Sequence, residues 1–443
     1  MSDDNRDARR EYRRKRRIRS QIVAYMVLIL LIVIVGVGIY IGVKKIVDNK
    51  PAVVSENVAS ESVNSVTESQ NAVAQAITTP DAGEIIEDDS TGDDSADVPA
   101  ENERAREYVD AMSLEQKVAN LFIVSPEAIT GVEIATMAGD GTRNALSQYA
   151  VGGILYSTKN IQSADQFTEL VSNTKTMYSE LYNAPVWTVV EEGGLTSTIV
   201  DAGIGYTAQT PASQVTSSGD TYQAYLTMGN YLNDFGITMN IGPVCDVLTN
   251  ESAYIAANCY GSDAASVAEM VEMAVNGQND VGVISCLRTF PGEGELLVDT
   301  ATQGGSTDRS LDDMRSNEFL PFIAGIDKGA EVVMISHISA PNVIGDDTPS
   351  SLSSVMIEDV LRNELGYNGV VITDRMDKTA ITSRYTSGDA AVMAIQAGAD
   401  MILAPADFYG SYQAVLDAVN NGTITEERID ESLMRIYSIK FAE

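Results

Sequence analysis

Histidine is almost missing: His337 is the single one in 443 residues. That scarcity argues against zinc, whose sites lean on His and Cys clusters. It also removes most Ser-His-Asp and Cys-His schemes, unless His337 is the base. Cysteine is nearly as rare. Cys245, Cys259 and Cys286 are odd in number and form no Cys-x-x-Cys, so they are no disulfide framework. No metal and no cofactor are expected. Basic residues are few, 29 against 63 acidic ones, for a formal net charge of −34. Nine of the Arg and Lys lie in the first twenty residues beside four acids, so the remaining 423 residues carry about −39. A body this acidic repels nucleic acid and anionic lipid surfaces, and no nucleic-acid partner is expected.

The scarcity of positive charge also divides the chain. Residues 1–20 form a basic segment containing Arg13-Arg14-Lys15-Arg16-Arg17. Residues 21–45 read as a transmembrane helix, because Ile22–Val43 is 22 residues without a charge and is closed by Lys44-Lys45. The basic excess on its amino side predicts a cytoplasmic amino terminus, with everything after Lys45 outside the cell. Residues 46–103 read as an acidic linker. Pro51–Glu103 has no Lys or Arg, and a segment so polar buries too little apolar surface to fold alone. It is expected to be a disordered, self-repelling tether.

Residues 104–443 differ in composition and make one domain-sized block. Short apolar runs recur at Asn120–Val124, Val151–Ser157, Pro185–Glu192, Ile237–Val247, Val283–Phe290, Glu331–Ser339, Gly369–Met376 and Met401–Asp407. Helical spacing fills much of the intervals, at Ala164–Tyr182, Tyr222–Phe235, Ala264–Val281 and Ser353–Leu365. Eight strands alternating with helices predict an α/β fold, a (β/α)8 TIM-like barrel. A doubly wound open sheet is the alternative.

Gly369–Met376, Gly-Val-Val-Ile-Thr-Asp-Arg-Met, is the sharpest of these runs. Its unbroken apolar stretch predicts a parallel strand buried on both faces. Asp374 stands at its carboxyl end, where a barrel gathers its chemistry. Other strand ends carry Glu191-Glu192, Asp246, Arg288 and His337. The loop after strand five adds Glu293, Glu295 and Asp299 among glycines. Acidic groups beside Gly-rich turns suit a neutral, hydroxyl-rich ligand. A facing pair of carboxyl groups suits glycoside hydrolysis, one as nucleophile and one as acid/base. The Gly-Glu-Gly-Glu turn is too acidic, and lacks the following Lys, for a phosphate cradle.

These segments, in order, resemble the amino-terminal barrel domain of glycoside hydrolase family 3, and within it the bacterial single-domain β-N-acetylglucosaminidases. The resemblance rests on Met112–Lys117, Val151–Ser157, Glu192-Gly193-Gly194, Pro243–Val247, Phe290-Pro291-Gly292 and Thr373-Asp374. It implies that Asp374 is the nucleophile that forms a covalent glycosyl intermediate. It implies sugar-binding roles for Glu192, Asp246, Arg288 and His337, and a carbohydrate partner at the cell envelope.

The sequence also departs from the family pattern. Where the family has Asp-Gln-Glu-Gly-Gly-Arg, this chain has Val190-Glu191-Glu192-Gly193-Gly194-Leu195. Its Lys-His-Phe-Pro-Gly-His-Gly stands as Arg288-Thr289-Phe290-Pro291-Gly292-Glu293-Gly294. The acid/base Asp-Ser-His stands as Asp299-Thr300-Ala301, so the histidine of that dyad is gone. The candidates for acid/base are then Asp299, Glu293, Glu295 and His337. Two functions are consistent with this: a membrane-anchored retaining β-N-acetylhexosaminidase, or an inactive barrel that binds glycan or acts as a scaffold.

Overall fold

The computed structural model describes residues 100–193, 197–207, 209–215 and 217–442. The expected membrane span and most of the tether lie outside them. Among the described residues no helix is long and apolar enough to cross a membrane.

Eight parallel strands follow one another around a barrel. They are β1 (Phe122–Val124), β2 (Gly153–Leu155), β3 (Trp187–Val190), β4 (Met239–Asn240), β5 (Ile284–Phe290), β6 (Val332–Ile335), β7 (Val370–Thr373) and β8 (Ile402–Leu403). The hydrogen-bonded order is β7-β6-β5-β4-β3-β2-β1-β8. A parallel bridge between Ile372 and Met401 joins β7 to β8 and closes the ring. Closure excludes the open doubly wound sheet. It also removes both edges, which would otherwise leave unpaired backbone groups.

Except for β1 and β5, which end where their runs end, the apolar runs continue past the strands at the barrel mouth. Strand β4 is the extreme case. Expected over Ile237–Val247, it spans Met239–Asn240, since Pro243 has no N–H to give the ladder. Val244 rejoins the sheet through a bridge to Arg288. The helices begin and end where local chemistry directs. Helix Ala164–Tyr182 starts at Ser163, whose hydroxyl accepts from Gln166 N, and stops at Asn183 with φ 52°. Helix Ser218–Asp234 starts about a turn earlier than the apolar spacing indicates, because Ser217 caps it. The expected helix over Ser353–Leu365 appears as a wide-wound π-helix, Val355–Glu364.

The amino-terminal end of the barrel is plugged by helix Glu426–Ala442. Its Lys440 ammonium donates to the Gly152 carbonyl at 2.8 Å, with the Trp187 ring 5.4 Å away. Beside it, buried Asp400 accepts from Arg362, Ser432 and Arg435. This end is braced by structural ion pairs, and the opposite end is left to carry the site.

Candidate active site

Strand β7 delivers Asp374 to the mouth. Its backbone N–H donates to the Ile335 carbonyl at 2.8 Å, extending the β6–β7 pairing by one residue. The chain then turns, and Lys378, four residues on, returns to the carboxylate. Lys378 Nζ lies 2.6 Å from Asp374 Oδ2 and 3.2 Å from Thr300 Oγ1. Asp374 Oδ1 accepts from Arg375 N at 2.7 Å. Burial raises the Asp374 pKa, but the Lys378 ammonium and the Arg375 N–H outweigh it and hold the carboxyl below its ordinary value.

The loop after β5 is tied to the same turn. Thr379 N and Ala380 N donate to the carbonyls of Ala301 and Thr300, which brings Asp299 alongside. Gly294 lets this loop pass against the one after β4. A Cβ there would stand 1.8 Å from the Val247 carbonyl oxygen, so only glycine fits. That close approach carries Glu293 inward. Its carboxylate accepts hydrogen bonds from Tyr254 Oη and Ser336 Oγ. Burial raises the Glu293 pKa; Lys378 opposes the rise and Asp374 adds to it.

Around these groups lies a cavity of about 280 Å³, lined among others by Asp374, Lys378, Glu293, Asp299, Arg288 and Glu191. Arg288 pairs with Glu191, and its Nε and Nη2 have no partner among the described residues. The structure therefore gathers Asp374, Asp299, Glu293 and Arg288 in one place. Glu295 lies apart, in a shallow groove with Leu296 and Leu297.

The other three residues expected to bind sugar do not line the cavity. Glu192 is the clearest correction. Successive residues leaving a strand point to opposite sides, and here Glu191 takes the inward position. Glu192 faces outward and accepts from Ile199 N, Val200 N and Tyr231 Oη. Burial pushes its pKa up to about 7 against those donors. Asp246 is buried outside the cavity lining, accepts from the Glu293 N–H, and its Oδ2 has no partner among the described residues. Burial, with Glu293 nearby, lifts its pKa to about 8. His337 is buried behind Asp374, with Nδ1 2.7 Å from Ser351 Oγ and Nε2 2.9 Å from the Arg375 carbonyl.

Sequence reasoning missed Lys378, Tyr254 and Glu191 as cavity residues. Lys378 had a signal, the four-residue spacing from Asp374, which on a helical turn brings side chains together. Tyr254 had none, since it sits in the long irregular loop after β4.

Residues 113–439 match the glycosyl hydrolase family 3 N terminal domain. The chain belongs to glycosyl hydrolase family 3. It is similar to the beta-hexosaminidase A of Pseudoalteromonas piscicida, 27% identical over 323 residues, which is 67% of this chain and 54% of that one. This chain thus spans about half the length of that relative. The beta-hexosaminidase of Nitrosomonas eutropha is 27% identical over 59% of this chain and 75% of its own. Among solved structures, a family 3 beta-N-acetylglucosaminidase from a Paenibacillus species superposes with a TM-score of 0.70 at 31% identity. That match covers 74% of this chain and 62% of the other. The beta-N-acetylhexosaminidase of Beutenbergia cavernae gives 0.66 at 25% identity, over 74% and 98%. As a family 3 barrel, the domain has its mouth cavity where its Asp374 turn and β5 loop meet.

Proposed function

We propose that this family 3 barrel is a membrane-anchored, retaining β-N-acetylhexosaminidase-type glycoside hydrolase acting outside the cell on wall or other envelope carbohydrate. One observation carries the reading: a single cavity holds two carboxyl groups whose surroundings push their pKa values apart. Such a divergence is how a site separates nucleophile from acid. Asp374, held ionised, attacks the anomeric carbon and forms a glycosyl ester. Glu293, or Asp299 at the rim, protonates the departing oxygen and then activates water. Arg288, paired with Glu191 in the cavity wall, contributes to binding the sugar. A cavity of about 280 Å³ suits a single sugar unit rather than a polymer segment. That favours removal of terminal residues. The anchor is the uncharged Ile22–Val43, joined to the barrel through the acidic residues 46–103.

A second reading has its own observation. Both Asp374 oxygens are engaged, by Lys378 and by Arg375 N, and Ala301 stands where the family has a histidine. A barrel that binds glycan without cleaving it fits those features. Intact mass after incubation with a fluorinated N-acetylglucosaminyl fluoride decides between them. Hydrolysis through Asp374 predicts a mass increase of one glycosyl unit that Asp374→Asn abolishes. No increase under any condition leaves the binding module.

A further inference from the structure

The cavity contains a cation that neither the family resemblance nor the proposed reaction calls for. Lys378 is mostly buried, its side chain 18% exposed, and it touches two elements at once. It reaches Asp374 on its own turn and Thr300 on the β5 loop, at 2.6 and 3.2 Å. The attacking group of a retaining glycosidase must meet an anomeric centre that gains positive charge as the bond breaks. An ammonium fixed on that same carboxylate opposes the charge and occupies one of the two oxygens.

We propose that Lys378 is a positioning residue that latches Asp374, so that covalent attack proceeds only when the ammonium swings off Oδ2. The proposal rests on Asp374 being the nucleophile. The latch has somewhere to go. Glu293 and Asp299 both face Lys378 from the β5 loop and share in holding its charge. A sugar entering the cavity displaces the ammonium toward Asp299, leaving Glu293 free to act as the acid, and the Thr300 contact keeps it near. The other charged or titratable groups facing Asp374 are His337 from the β6 end, Arg375 with Asp377 on its own turn, Tyr254 from the β4 loop and Cys286 on β5. Among the described residues, only Lys378 makes a side-chain ion pair with Asp374.

Labelling with a glycosyl fluoride isolates the step. One Asp374 oxygen bonds to the anomeric carbon, and fluoride leaves with the bonding pair, so no proton donor is needed. The full chain is incubated with a fluorinated N-acetylglucosaminyl fluoride, and adduct formation is followed by intact mass across a range of pH. The latch predicts that Lys378→Met and Lys378→Gln form adduct roughly tenfold faster than wild type at neutral pH. It also predicts that their acid limb moves to higher pH, because Asp374 loses the charge that holds it ionised. Lys378→Arg keeps the charge and stays slow. Adduct at the wild-type rate or slower in both Met and Gln variants, with melting temperatures near wild type, overturns the latch and leaves Asp374 as nucleophile. If Lys378→Met does not fold, Lys378→Gln, which retains a donor toward Thr300, carries the same comparison. Adduct in none of the proteins overturns both the latch and the hydrolase.

Discussion

The imidazole of His337 donates through Nε2 to the Arg375 carbonyl oxygen, 2.9 Å away. A carbonyl only accepts, so Nε2 carries the proton, and Nδ1 accepts from the Ser351 hydroxyl at 2.7 Å. Burial favours the neutral ring by pushing its pKa down. His337 therefore fixes the backbone on which Asp374 and Lys378 stand, and both its nitrogens are already used.

His337→Ala should lower stability by about 1–3 kcal/mol, because the buried Ser351 hydroxyl loses its ring partner and the Arg375 carbonyl is left with the Lys378 N–H at 3.2 Å. His337→Gln, which can restore one of the two bonds, should recover part of it. Chemical denaturation of the two variants checks the order. Equal stability of Ala and wild type would mean that the ring is not holding the turn.

Asp374→Asn should abolish glycosyl adduct formation and also cost stability. The substitution preserves size but leaves the Lys378 ammonium without its carboxylate. Truncating one partner of such a buried pair costs about 2–5 kcal/mol, and Lys378's partial exposure places the loss at the low end. The sign with pH follows from the depressed Asp374 pKa. Its stabilisation is present above the ordinary carboxylate range and is lost as pH falls through the lowered native value. The gap between wild type and Asn should therefore shrink in acid. A gap that widens in acid would contradict the ion pair.

Much of this site was legible in the chain, and the failures have specific causes. Asp374 was legible because β7 is buried on both faces, so its apolar run ends sharply where the mouth begins. Asp299, Glu293 and Arg288 followed from being on one loop or strand end, and the structure brings them into one cavity. Glu191 and Glu192 were adjacent acids, and sequence alone does not say which one faces inward once the strand ends after Val190. The length of β4 was misread because its apolar run continues past Pro243 although the ladder does not. Tyr254 became a cavity residue only through the packing of an irregular loop, which has no periodicity to read.

Glu192 supplies a pH prediction of the opposite sign. Its native pKa is raised to about 7, so the folded protein keeps a proton that the unfolded chain has already released. Stability tied to this group is present below the ordinary carboxylate range and is lost as pH rises toward about 7. Asp246, raised to about 8, acts in the same sense over a wider window. Glu192→Gln should flatten the dependence, so that melting temperature falls less between about pH 5 and pH 8 than in wild type. An identical slope in both proteins would show that Glu192 titrates like an exposed acid.

The proposed anchor makes a prediction at the level of the cell. If Ile22–Val43 spans the membrane with Arg13–Arg17 inside, external protease on intact cells should cut the acidic tether and release a fragment close to residues 104–443 in size. Complete protection of the barrel in intact cells, with release after lysis, would reverse the orientation.

The identity of the acid is the last question the geometry sharpens. Glu293 and Asp299 both border the cavity, but their settings differ. Glu293 is buried and that burial raises its pKa, which favours the protonated form an acid needs. Asp299 is half-buried at the rim, and its Oδ1 accepts from Ala301 N at 2.8 Å, a contact suited to a loop carboxylate. Glu293 is therefore the expected acid. A missing general acid costs roughly 10²–10⁴-fold, and the loss falls on leaving groups that need a proton. Glu293→Gln should thus slow alkyl N-acetylglucosaminides strongly while leaving glycosyl fluorides nearly unchanged, and Asp299→Asn should slow both little. If the selective loss appears in Asp299→Asn instead, the acid sits at the rim, and Glu293 serves to repel and orient Asp374. A uniform loss across leaving groups in both variants would assign neither residue to proton transfer.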